Sequence, residues 1–355
     1  MLINRVAAAR GFLQRFDVDA IIVSDIKDIR YLSGFTGSEG LLLLGESDVF
    51  LLTDSRYTTQ ASEEAVGCSL VEFREKMPTV ASLVGRIGAG NIGFQADVVS
   101  VAFHNELACA LPGARLVPLG PEIGALRAIK DSEEIGRLEK VAGLASEAFL
   151  GILSSITPGI TEKEIALRLE FAFRTAGADD KAFDFIVASG ERGALPHGRA
   201  STKVLRSGEL VTIDFGAVMD GYHSDETVTL AVGEPDVRQR TVYQTVKDAH
   251  DKALAAVRPG VALKALDAVA RDYITEKGYG EFFGHGLGHG VGLDVHEKPV
   301  VSFRSEGEAV EGMVFTIEPG IYIPGWGGVR IEDTVCVTAD GCRLLTRVPK
   351  DLKVL

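Results

Sequence analysis

Short apolar runs punctuated by glycine dominate the first third of the chain. Ala20 to Ser24 (AIIVS), Leu41 to Leu44 and Val49 to Thr53 (VFLLT) have the length and branching of buried strands. Gly34, Gly37, Gly40 and Gly45 bound them. Tyr57 to Ala65 and Val80 to Ile87 predict helices, so the pattern up to about residue 125 predicts a small α/β domain. A long helix follows. Asp131 with Glu134 three residues on predicts a capping box. Ile135, Leu138, Val141, Leu144, Ala145, Ala148 and Ile152 then recur at helical spacing. The pattern therefore divides the chain into 1–125 and 126–355, and a length of 355 residues agrees with two domains.

The second part repeats itself. TPGITEKEIALRLEFAFRTAG (157–177) lies over RPGVALKALDAVARDYITEKG (258–278), GELVTIDFG (208–216) over GMVFTIEPG (312–320), and DETV (225–228) over EDTV (332–335). The offset grows from 101 to 104 to 107, as in a duplicated unit with small loop insertions. Two related helix-plus-sheet units packed about a pseudo-two-fold axis are predicted.

The duplication aligns Asp214 with Glu318 and Asp225 with Glu332. Each unit supplies two of them from segments that read as strands, and one acid of each unit lies in a clearly alternating run: Val211, Ile213 and Phe215 against Thr212, Asp214 and Gly216, then Val329, Ile331 and Asp333 against Arg330, Glu332 and Thr334. Acids brought together where two such units meet are costly to bury without cations. Four converging carboxylates would satisfy two divalent metal ions.

Three of the seven histidines, His285, His289 and His296, lie in GHGLGHGVGLDVHE, and are candidates for ligand and proton-transfer work. The repeat does not place His197; His104, His223 and His250 read as structural or surface groups.

Composition narrows the class. Hydrophobic residues are 46% and charged residues 25%, which excludes disordered, collagenous and disulfide-scaffold chains. The formal charge of −13 argues against nucleic-acid and anionic-membrane partners. Four cysteines form no CxxC pair and read as small buried apolar residues in a reducing compartment. The first residues lack a signal-peptide core, and no apolar run approaches the ~20 residues that cross a bilayer. A cytoplasmic location is the expectation.

TIDFG, GYHSDETVTL, GHGLGHGVGLDVHE, TIEPGIY and GVRIEDT, in this order, resemble the pita-bread metallopeptidases of family M24: Xaa-Pro dipeptidase (prolidase), aminopeptidase P and methionine aminopeptidase. IRYLSGFTGS, LLTDSRYTTQA and RAIKDSEEI are similar to segments of the Xaa-Pro branch. The resemblance implies an α/β (α+β) chain: an N-terminal creatinase or ribonuclease-H-like α/β domain, then a duplicated pita-bread catalytic domain.

The implied activity is metallo-exopeptidase hydrolysis of the bond before proline, in Xaa-Pro dipeptides or at the N-terminus of Xaa-Pro peptides. The implied nucleophile is a hydroxide bridging two divalent ions, manganese first and cobalt or zinc next. Asp214, Asp225, His289, Glu318 and Glu332 are the implied ligands. Asp225 and Glu332 would bridge, Asp214 would chelate one ion, and His289 with Glu318 would hold the other. Glu318 would also relay the proton, and His197 and His296 would contact the substrate and the developing tetrahedral centre. His285 would support His289, and Arg330 is a further candidate at the substrate; Trp326, the one tryptophan, either lines the substrate pocket or anchors a loop.

Short proline-containing peptides are the expected partners, with a homodimer as the expected assembly. Two positions depart from the family pattern, Val228 and Val300 standing where arginine is common; Lys298 or Arg304 would have to substitute. The alternatives are a non-catalytic peptide- or protein-binding module on the same fold, and another member hydrolase such as methionine aminopeptidase.

Overall fold

A computed structural model describes residues 2–355, which divide into two units, 2–127 and 128–355. The first unit carries six strands: β1 (Ala20–Val23), β2 (Leu41–Gly45), β3 (Val49–Thr53), β4 (Ser69–Glu72), β5 (Asn91–Gln95) and β6 (Arg115–Leu119). They form one mixed sheet in the order β4-β3-β2-β1-β5-β6. The three apolar runs of the sequence are its fully buried centre, β1 to β3.

Three strands and the opening helix Leu2–Phe16 escape the sequence reading. β4 and β6 are edge strands with exposed positions, so they lack the continuous apolar signal. Leu2–Phe16 buries only Ala9 fully, too narrow a stripe to stand out. Arg56 pairs with Asp54, and Tyr57 packs edge-on against Phe35. The cysteine expectation is corrected: Cys336 is buried, whereas Cys109 is exposed and Cys68 and Cys342 are half-buried.

The second unit opens on helix Ser132–Ile152, where Asp131 and Glu134 make the predicted capping box. Its buried face runs through Leu138, Val141, Ala142, Ala145 and Phe149, a turn-by-turn spacing that shifts the stripe away from Leu144, Ala148 and Ile152. Phe149 stacks on Phe215 with ring centroids 4.6 Å apart, joining this helix to the acidic strand beneath.

The strands here are β7 (Asp180–Lys181), β8 (Ile186–Ser189), β9 (Glu209–Phe215), β10 (Ala217–Met219), β11 (Tyr222–His223), β12 (Glu226–Val232), β13 (Gly288–Gly290), β14 (Glu297–Val301), β15 (Val314–Ile317), β16 (Gly320–Ile323), β17 (Gly327–Arg330), β18 (Asp333–Val337) and β19 (Cys342–Leu344). β12-β9-β8 form one sheet and β14-β13-β15-β18-β19 another. The repeat is visible in both: β9 pairs antiparallel with β12, and β15 with β18. The helices Glu162–Ala176 and Leu263–Glu276 begin at equivalent repeat positions.

The run from Val329 to Thr334 is not one strand. β17 ends at Arg330 and β18 begins at Asp333, leaving Ile331 and Glu332 at the junction. Asp225 likewise sits immediately before β12.

At these junctions the halves clasp each other reciprocally. Thr227 Oγ1 donates to Glu332 Oε2 at 2.5 Å, while the equivalent Thr334 Oγ1 donates to the Asp225 carbonyl at 2.7 Å. Each repeat thus holds the other's acidic residue. The helices Val237–Ala256 and Leu263–Glu276 cover this region through Val242, Val246, Leu266, Ala270 and Ile274, packed on Phe315, Ile317, Ile321 and Ile331.

Candidate metal centre

Five side chains reach one cavity of about 850 Å³ in the second unit: Asp214 from β9, Asp225 before β12, His289 on β13, Glu318 after β15 and Glu332 before β18. Ligating atoms of Asp225, His289 and Glu332 all lie within 4.8 Å of one another. His289 Nε2 stands 3.6 Å from Asp225 Oδ2 and 3.3 Å from Glu318 Oε1. Its Nδ1 lies 3.2 Å from the Gly290 carbonyl, which assigns the proton to Nδ1 and leaves the Nε2 lone pair facing the acids.

The glycines let backbones meet here. A Cβ on Gly288 would lie 1.9 Å from the Thr316 carbonyl, and one on Gly216 would lie 1.9 Å from the Ser224 carbonyl. Gly288→Ala must push β13 off its neighbour and carry His289 with it. The expected cost is about 1–3 kcal/mol, read as a lower urea midpoint, together with weaker metal uptake.

Burial and mutual repulsion govern the charges. Burial, then Glu332, Asp214 and Glu318, push the Asp225 carboxyl well above its usual range. Burial, then Glu318 and Asp214, do the same to Glu332, and burial raises Glu318 against the pull of His285 and Arg330. Burial lowers His285, His289 and His296, keeping the imidazoles neutral.

Arg330 is the cation buried among them. It donates to Asp214 Oδ2 at 2.6 Å, to Tyr322 Oη at 2.9 Å and to the Pro196 carbonyl at 3.1 Å. Burial works against its charge, but Tyr322, Asp214 and Glu318 outweigh it and hold the guanidinium protonated. Tyr322 in turn meets His285 Nε2 at 2.9 Å, and burial pushes its hydroxyl up to about 12.

One guanidinium leaves these four carboxylates under-compensated. Asp214 Oδ1 is moreover buried with no hydrogen-bond partner among the described residues, an orphaned acceptor next to further hard oxygens. A donor set of four carboxylates and one neutral imidazole fits divalent ions.

Comparison with known families agrees with this chemistry. The model described as "Metallopeptidase family M24" matches residues 136–339, more than half of the chain. The chain belongs to metallopeptidase family M24. It is a hydrolase dependent on divalent metal ions, and its second unit has the family's pita-bread fold. Residues 5–129 match the model described as "Creatinase/Prolidase N-terminal domain".

The Xaa-Pro dipeptidase of Pyrococcus furiosus is 49% identical over 341 residues, covering 96% of this chain and 97% of that one. The structure of an Xaa-Pro dipeptidase from Bacillus anthracis superposes with a TM-score of 0.98 at 42% identity, covering both chains fully. That of an X-Pro aminopeptidase from Thermotoga maritima superposes with a TM-score of 0.90 at 40% identity, covering 96% of this chain and 99% of that one. No described helix is long and apolar enough to cross a membrane.

The M24 cavity also takes in His197, His285, His296 and Arg330. The His289 and His296 rings lie 4.2 Å apart. His285, expected to support His289, instead bonds Tyr322 and the Gly286 carbonyl. Trp326, open between pocket and loop anchor, is not among the lining residues; it packs on the core with the Arg238 guanidinium 4.6 Å from its ring. Lys298 and Arg304 are not among them either, whereas Val300 is. Val228 is buried in β12 opposite Ile213.

Tyr322 and the threonines that orient the acids are absent from the sequence reading. Thr316 Oγ1 donates to Glu318 at 3.1 Å, two residues on and just past the end of β15. That i, i+2 relation was the available signal.

Proposed function

We propose that this M24 peptidase is an exopeptidase that removes the residue preceding proline, with Asp214, Asp225, His289, Glu318 and Glu332 holding two divalent ions. The observation that carries the reading is the convergence of duplicated carboxylates with an orphaned Asp214 oxygen and a neutral His289 lone pair. A pair of such ions supplies water activation near neutral pH and polarisation of the scissile carbonyl.

The chain's own groups do the rest. Arg330 fixes Asp214, and the two threonine clasps fix Glu332 and the backbone at Asp225. Glu318, raised by burial, takes a proton from the attacking water and delivers it to the proline nitrogen as the C–N bond breaks. His296 and His197, on the cavity wall, face the carbonyl oxygen as negative charge grows on it. The amide before proline carries no N–H, so recognition relies on shape, and the wall includes Phe183, Ile186, Phe282 and Val300.

Relatives named for dipeptidase and aminopeptidase activity match at similar identity, and Val300 gives a dipeptide carboxylate no cation. Aminopeptidase P activity is therefore the second reading. Metal-stripped protein should be inactive and regain hydrolysis with Mn²⁺ or Co²⁺. Release of alanine from Ala-Pro supports the dipeptidase form; cleavage of Ala-Pro-Ala alone supports the aminopeptidase form. Activity surviving exhaustive chelation, or no cleavage of either peptide, overturns the proposal.

A further inference from the structure

The two junction acids have immediate neighbours that are also acids, Glu226 after Asp225 and Asp333 after Glu332, and the repeat aligns these neighbours with each other. Asp225 and Glu332, just before β12 and β18, line the cavity, while Glu226 and Asp333, the first residues of those strands, are buried away from it.

A single lysine joins the rear pair. Lys350 Nζ donates to Glu226 Oε1 and lies 3.3 Å from Asp333 Oδ1, with its side chain only 6% exposed. The segment carrying it clasps the same two acids. Val348 N donates to Glu226 Oε1 at 2.9 Å and Thr346 Oγ1 to Asp333 Oδ1 at 2.5 Å. Ser146 completes Glu226 at 2.5 Å, and His250 Nε2 lies 3.2 Å from Asp333 Oδ2. One cation thus serves both copies of a duplicated rear acid, each peptide-bonded to a cavity acid. No step of the proposed hydrolysis uses it.

We infer that Lys350 is a positioning residue for the metal site: by tying Glu226 to Asp333 it sets the spacing of Asp225 and Glu332, and the inference rests on those two acids being metal ligands. Consecutive Cα atoms are 3.8 Å apart, so a displaced rear acid drags its neighbour with it. Groups one layer out from a metal commonly change its affinity by about 10–100-fold.

The test uses Co²⁺ alone as probe on metal-stripped full-length protein, with calorimetric titration and the visible spectrum of the Co²⁺-loaded form read at 20 °C. Lys350→Met is compared with Tyr243→Phe, which cuts the bond from Tyr243 to the Lys350 carbonyl without touching either rear acid. Lys350→Met should bind Co²⁺ at least about 10-fold more weakly, with shifted absorption bands, whereas Tyr243→Phe lowers the melting temperature alone. Glu226→Gln, nearly isosteric, decides the matter if Lys350→Met does not fold, and should shift the bands likewise. Wild-type affinity and bands in the folded charge variants overturn the inference and leave the metal reading intact. A wild-type protein that takes up no Co²⁺ overturns both.

Discussion

Asp225→Asn and Glu332→Gln should each lower kcat/KM for a cleaved Xaa-Pro peptide by about 10²–10⁴-fold, with the protein still folded. In the metal-loaded site each removes an anion that would face buried cations, and breaking such a pairing at one partner costs about 3–5 kcal/mol. Each amide keeps the side chain's shape and one acceptor oxygen but places an NH2 donor where the second oxygen stood, so the charge and one ligating atom are lost together. In the proposed arrangement both acids would hold the ions, and each is clasped by a threonine reaching across the repeat. His296→Ala should cost less, about 10²-fold, because it removes one group facing the carbonyl oxygen and leaves the ligand set intact. Steady-state kinetics with metal content measured on the same samples checks the order. Full activity in either acid variant removes that residue from the ligand set.

The four cavity acids were legible in the sequence because duplication counts as two observations of one position. A lone Asp in a strand says little, but Asp214 over Glu318 and Asp225 over Glu332 say that two places matter. The glycine-rich stretch was legible for a similar reason, since so many glycines imply backbone contact, and Gly288 beside Thr316 supplies it.

What escaped depends on tertiary contact. Lys350 lies in a segment with no periodicity, and only the fold brings it behind Glu226 and Asp333. Tyr322 gains its place because β16 carries its hydroxyl to both Arg330 and His285. Trp326 stayed open between pocket and loop because a single aromatic among glycines has no pattern to say which side it faces. The run from Val329 to Thr334 alternates perfectly, yet breaks at Ile331 and Glu332, where Glu332 N bonds the Thr227 carbonyl of the other half. Alternation records which face a residue takes, not where a strand changes partners.

Glu332→Gln should stabilise the metal-free protein as pH rises and lose that advantage when metal binds. Glu332 has its folded pKa raised, first by burial and then by Glu318 and Asp214. The stability this group contributes is fully present below its unfolded value of about 4.3, and is lost as pH rises through the folded one. Glu332→Gln removes that titration while leaving the neighbouring histidines to titrate in both proteins. Those imidazoles act oppositely: their lowered values contribute stability above about pH 6.5 and lose it on acidification. Subtracting wild type from variant largely removes their common part.

At pH 4, where the wild-type carboxyl is protonated, the two metal-free proteins should melt together. Above that, the variant should gain on wild type by up to about 1.4 kcal/mol per pH unit until the folded carboxyl ionises. At pH 8 it should melt several degrees higher. Saturating Mn²⁺, at about 100 times its dissociation constant, should add about 2.7 kcal/mol per site to wild type and less to the variant, reversing the order. Calorimetry from pH 4 to 8, with and without Mn²⁺, gives all four curves. A variant less stable than wild type at pH 8 in the absence of metal contradicts the raised Glu332. Unchanged order with Mn²⁺ contradicts its place as a ligand. Both results together would leave Glu332 a structural acid held by Thr227, and the site would have to be built from the remaining three carboxylates.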